Sequence, residues 1–243
     1  MWLDVGLLFL TPLAGAFMYF FLEKRLKPYF PYFLIFAGAY LFSITVVHLL
    51  PELFVGQMEV HLIGAFVLAG FFIQILLGSF TNGLEHGHIH SDNSIPTTSL
   101  FLGLCIHAFM EGTLLSYRPT VIDHDHHSTG LLIGVILHKI PATIAFLSVL
   151  SVKKHQKTRI LILLLVFALM TPLGMVLSDI FYIENMVPAH IFTVIFALVA
   201  GNFLHISTTI FFESSRDHSI QVPKAIISLL GALVAVIFEF FIF

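Results

Sequence analysis

The stretch GLLIGVILHKIPATIAFLSVL, Gly130 to Leu150, runs 21 residues with no ionisable side chain except a His-Lys pair near its middle. Wound as a helix at 1.5 Å per residue, such a run covers about 30 Å, the thickness of the hydrocarbon core of a bilayer. Read this way it is a membrane span that carries His138 and Lys139 deep inside and Pro141 two residues further on.

The rest of the chain agrees with that solvent. Of its 243 residues, 58% are hydrophobic and only 10% charged, and the mean hydropathy is +0.99, well outside the range of a soluble globular domain. Seven further apolar segments of similar length accompany the first. The expected spans are residues 3–22, 31–54, 60–80, 97–117, 130–150, 159–180, 189–212 and 223–243. KRLKPYFP, HSDNSIP, VKKHQKTR and SSRDHSIQVP mark the joints between them with proline and charge. The start, MWLDVGLLFLTP, has Asp4 where a cleaved signal would have positive residues, so it reads as the first span. The expected fold is an all-α polytopic membrane protein forming one transmembrane domain over 1–243, with His-bearing loops at 81–96 and 118–129.

Loop charges set the orientation. Lys24, Arg25, Lys27, Lys153, Lys154, Lys157, Arg159, Arg216 and Lys224 fall on one side, and Arg118 alone on the other. Positive loops stay in the cytoplasm, so both termini face outward, the 81–96 loop faces the cytoplasm and the 118–129 loop faces outside. A net charge of -3 and a pI near 6.5 leave no basic face to neutralise phosphates, which excludes nucleic acid as a partner. The lone Cys105 excludes an internal disulfide.

Histidine is the anomaly: 14 of them outnumber the 11 lysines and arginines. Imidazole is the commonest side-chain metal ligand and a proton carrier near neutral pH. An ionisable side chain in a span costs roughly 2.5 to 3.5 kcal/mol on insertion scales, so each one calls for a partner or a role. Away from span ends they are His48, His107, Glu111, His138, Lys139 and His205. The fourth and fifth spans run antiparallel across a short loop. Counted from their outer ends, His107 lies about 15 Å deep and His138 about 12 Å deep. Glu111, four residues after His107, shares its helix face. Two imidazoles and a carboxylate therefore converge near the membrane midplane, a donor set suited to zinc and its first-row neighbours. Pro141, Pro172 and Pro12 withdraw the helical donors of the Leu137, Ala168 and Leu8 carbonyls, and broken helices are expected around the polar groups.

Other histidines suggest a path. His48 and Glu52, with His124, His126 and His127 of the DHDHH loop, are entrance candidates; His86, His88 and His90 of EHGHIHSD, with Glu213, Asp217 and His218, are exit candidates. His205 is a further pathway candidate. The same three midplane residues also permit an intramembrane zinc-dependent hydrolase, since two histidines and a glutamate leave a coordination position for water. No second base or oxyanion donor set accompanies them.

HAFMEG in the fourth span and HKIPAT in the fifth resemble the paired signatures H-N-x-x-[DE]-G and [HQ]-[ED]-x-P-E-G of the ZIP family of divalent-metal transporters. VVHLLPE, TPLGMVLSD and GNFLHISTTIFFES resemble family segments in the second, sixth and seventh spans. The resemblance implies divalent-metal transport toward the cytoplasm, eight helices arranged three, two and three with inverted-repeat symmetry, a homodimer in the cell membrane, and a binuclear site between the fourth and fifth spans. Zn2+ is the implied cargo, with Fe2+, Mn2+ and Cd2+ as further passengers. For the first metal position the implied ligands are His107, Glu111, His138 and Ala142, of which the alanine cannot ligate. For the second they are Ala108, Glu111, Lys139, Ala142 and Thr171, where only Glu111 carries a metal-binding carboxylate. These departures point to one metal and not two, with the Lys139 ammonium neutralising Glu111 or standing in for the second cation. A member so reduced also admits a role as a metal sensor.

Overall fold

The computed structural model describes residues 1–26, 28–56, 58–81, 97–115, 128–152, 156–184, 186–213 and 222–242. Among them all regular structure is helical. α1 is Trp2–Leu26. α2 starts at Phe30–Ile44, passes through a π-helical turn at Thr45–Leu49 and ends with Leu50–Val55. α3 is Val60–Thr81, α4 Thr97–Leu114, α5 Ser128–Val152, α6 Lys157–Ile183 and α7 Ala189–Glu213. α8 is Val222–Ile237, finished by a second π-helical turn at Phe238–Ile242. Helices are what lipid permits, because each backbone N–H and C=O is satisfied within its own segment.

Seven of these eight helices are long and apolar enough to cross a membrane; α4 is the exception. It has 18 residues and opens on two threonines and a serine, and it places His107 and Glu111 in its second half. The difference from the expected span has a physical reason. Thr97, Thr98, Ser99, His107, Glu111 and Thr113 dilute the apolar side chains of so short a helix. The outward faces of α3 and α8 are instead lined by exposed leucine, isoleucine and phenylalanine, such as Phe72, Leu76 and Leu229.

The helices pack in pairs. α1 lies on α5 and α6, α2 on α8, α3 on α7, and α4 on α6. Glycines let two of these pairs approach backbone to backbone, which is how helices gain contact where no hydrophobic effect drives them together. A Cβ on Gly112 would overlap the Thr171 carbonyl, and one on Gly174 the Phe109 carbonyl, locking α4 and α6. Gly70 and Gly201 meet the Leu198 and Val67 carbonyls in the same reciprocal way between α3 and α7.

Two apolar clusters fill the interior. One gathers Tyr40, Leu53, Val135, Phe196 and Phe203, and the other Leu104, Ala108, Ala145, Phe146 and Phe167. α5 contributes Val135 to the first and Ala145 to the second, so His138 and Lys139 lie on the stretch of helix between them.

The expectation of broken helices is corrected. Pro12, Pro141 and Pro172 all lie inside continuous helices. A membrane helix tolerates proline when nearby groups satisfy the loosened backbone. Here threonine hydroxyls supply donors next to two of them, Thr11 Oγ1 to the Leu7 carbonyl at 2.7 Å and Thr143 Oγ1 to the Lys139 carbonyl at 2.8 Å. The irregular backbone falls elsewhere, in the π turn that carries His48 just before Pro51 and in the π turn that carries Glu239. Such turns concentrate at functional sites.

Candidate metal site

α4 presents His107 and Glu111 one helical turn apart, and α5 presents His138 and Lys139 toward them. All four side chains are buried; Glu111 and His138 are fully so. His107 Nε2 lies 2.9 Å from Glu111 Oε1, and His138 Nε2 lies 3.8 Å from the same oxygen. The two imidazole rings meet edge to face with centroids 5.9 Å apart. Ligand atoms of His107, Glu111 and His138 fall within 4.8 Å of one another, the only such trio among the described residues. Donors about 2.1 Å from a tetrahedral metal stand roughly 3.4 Å apart, so the observed spacings of 2.9 and 3.8 Å bracket what a bound ion requires.

The hydrogen-bond inventory points the same way. Neither ring nitrogen of His138 has a hydrogen-bond partner. A fully buried imidazole left in that state forfeits about 1 to 3 kcal/mol, and a metal on one nitrogen recovers it. Glu111 is divided between two roles: Oε1 faces both histidines, and Oε2 accepts a hydrogen bond from Lys139 Nζ. The ammonium also lies over the Phe167 ring, 5.4 Å from its centroid. Neutral histidines, one carboxylate and one ammonium sum to zero, which lets a buried ionic group persist without a metal.

Lys139 does reach Glu111, a contact no spacing argument could establish. Ala108, Ala142 and Thr171, the remaining second-position residues, are buried as well. The two alanines bring no donor atom, and the Thr171 hydroxyl has no hydrogen-bond partner. Asn202 of α7 was not apparent from sequence. Its Nδ2 lies 3.3 Å from His107 Nδ1, closing the back of the site. An uncharged residue escapes a search for ionisable groups, and only its place in the midst of an apolar span marks it.

A second polar group joins α2 to α8. The His48 ring spans two carboxylates, with Nδ1 at 3.0 Å from Glu239 Oε1 and Nε2 at 3.5 Å from Glu52 Oε2. Spacing alone pairs His48 with Glu52; Glu239, 191 positions away in the π turn that ends the last helix, is brought in only by the fold. His205 belongs to neither group; its ring packs edge to face on Phe71 at 4.9 Å. His86, His88, His90, His124, His126, His127, Asp217 and His218 lie outside the described residues, as does the Glu213 side chain.

Comparison with curated proteins returns no match. Residues 85–239 match the family model of the ZIP zinc transporters, a segment that contains His107, Glu111, His138, Lys139 and Asn202. This is a family of transporters and not of enzymes, which sets the hydrolase reading aside. With that match spanning well over half of the sequence, and with a buried cluster of two imidazoles and a carboxylate inside it, the chain belongs to the ZIP family and its chemistry is the transport of divalent metal ions across a membrane.

Proposed function

We propose that this protein carries zinc toward the cytoplasm through a single-metal site formed by His107, Glu111 and His138. The observation that carries the reading is His138: fully buried, 3.8 Å from a shared carboxylate oxygen, and without a hydrogen-bond partner on either ring nitrogen. Two nitrogen donors and one oxygen favour zinc over harder ions, while Fe2+, Mn2+ and Cd2+ can occupy the same donors as lesser passengers. Lys139 takes the part of the second cation. Held on Glu111 Oε2, it keeps the empty site neutral and repels any ion from the space lined by Ala108, Ala142 and Thr171.

Inward direction rests on loop charge and on the acceptors along the path. Nine basic residues on one face against Arg118 on the other put both termini outside. His48 and Glu52, together with Glu239, then serve as an entrance on the outer half, with His124, His126 and His127 of the outer loop as further entrance ligands by sequence. His86, His88, His90 and Glu213 serve as exit ligands by sequence, and His205 of α7 is a further pathway residue. The packing pairs support the 3+2+3 arrangement. Exchanging α1 with α6, α2 with α7, α3 with α8 and α4 with α5 turns the α3–α7 pair into α8–α2 and the α4–α6 pair into α5–α1, all four of which pack. A single domain over 1–243, a homodimer and a location in the cell membrane complete the proposal.

The experiment is zinc flux into proteoliposomes. Wild type accumulates zinc and His138→Ala does not; a His138→Ala protein that folds and transports at the wild-type rate overturns the reading.

A further inference from the structure

Asn202 holds His107 in an arrangement that serves the empty site and opposes the filled one. Its side chain is buried, and Nδ2 lies 3.3 Å from His107 Nδ1. An amide N–H donating there makes Nδ1 the acceptor, so the neutral ring carries its proton on Nε2. That nitrogen lies 2.9 Å from Glu111 Oε1. In this tautomer Nε2 has no lone pair to offer a metal. Ligation through Nε2 requires the proton on Nδ1, where it would confront the amide's own N–H.

The amide contains the remedy. Asn202 Oδ1 is buried and has no hydrogen-bond partner. Turning the carboxamide by half a revolution about its last bond exchanges the two ends, and Oδ1 then accepts from Nδ1–H. We propose that Asn202 is a positioning residue with two settings: Nδ2 donating to His107 when the site is empty, and Oδ1 accepting from His107 when a metal is bound. The proposal rests on the reading of His107 as a ligand. Proton balance is simple. The ring holds one proton before and after, the Nε2–H bond is replaced by Nδ1–H, and the Nε2 lone pair goes to the metal. Loading therefore draws no proton from His107, and release requires only the reverse turn. A carboxylate here could only accept and would favour the filled state; an apolar residue would favour neither. Asparagine serves both ends of a transport cycle, in which binding must be followed by release.

The test uses the full-length protein with 15N-labelled histidine, titrated with zinc and followed by the ring-nitrogen shifts of His107. Expected is an Nε2–H tautomer without zinc and an Nδ1–H tautomer with it. Asn202→Asp should show the Nδ1–H form already without zinc, bind zinc about tenfold more tightly and turn over more slowly, lowering KM and Vmax together. Asn202→Leu, which favours neither state, should leave affinity within a few-fold of wild type while His107 without zinc loses its single tautomer. A purely structural residue would lose thermal stability in both variants and shift affinity in one direction. The inference falls if His107 keeps one tautomer throughout the wild-type titration. It falls equally if Asn202→Asp binds zinc as wild type does while His107→Ala loses binding. Zinc binding retained in His107→Ala would instead remove the ligand assignment, and the Asn202 role with it.

Discussion

Replacing Lys139 by methionine keeps the stem and removes the charge, which isolates what the ammonium does. In the wild-type site it occupies Glu111 Oε2, while Oε1 faces the histidines. A zinc held about 2.1 Å from Oε1 stands roughly 5 Å from Nζ, across the width of the carboxylate. At an effective dielectric near 20, a double charge facing a single one at that separation meets roughly 7 kcal/mol of repulsion. Polarisation and helix relaxation absorb much of this, but one fifth of it, about 1.4 kcal/mol, is already tenfold in affinity. The metal-free variant has the opposite difficulty. Glu111 is left buried without its partner, a loss of about 3 to 5 kcal/mol when one member of a buried pair is removed. Zinc supplies the missing positive charge, so both effects act in one direction. Lys139→Met should bind zinc at least ~10-fold more tightly, melt earlier without metal, show a larger zinc-induced rise in Tm, and release its ion more slowly. Calorimetric titration and thermal denaturation in detergent read all of these. Unchanged or weaker binding, with a metal-free Tm like that of wild type, would refute the argument.

Two further outcomes follow from the packing and the site. Gly112→Ala should destabilise the protein by about 1 to 3 kcal/mol and slow transport, because its Cβ overlaps the Thr171 carbonyl and must part α4 from α6 beside Glu111; thermal denaturation and flux measured on the same preparation check it. Glu239→Gln should raise the KM for zinc uptake while leaving saturated flux near the wild-type rate if the proposed entrance holds, since Glu239 contacts His48 and belongs to a group separate from His107, Glu111 and His138.

Much of this was legible in the sequence, and the gaps have physical causes. Span positions follow from hydropathy, and the meeting of His107 with His138 follows from counting depth along antiparallel helices. Lys139 could be placed at the right level but not on Glu111, because a flexible stem leaves its reach open until packing closes it. Asn202 and Glu239 were missed for different reasons: one is uncharged, and the other acts through a contact between the second helix and the end of the chain. The prolines misled in the opposite sense. They announce broken helices, yet α1, α5 and α6 run through them unbroken, with threonine hydroxyls bonding carbonyls beside Pro12 and Pro141, and the irregular turns form at His48 and Glu239.

The most direct test of the central claim is the number of zinc ions bound per chain at saturation, measured by elemental analysis of purified protein with His107→Ala alongside. One ion per chain in wild type and none in the variant is the predicted result. Two ions per wild-type chain, both lost in His107→Ala, would show a binuclear site and contradict the role given to Lys139.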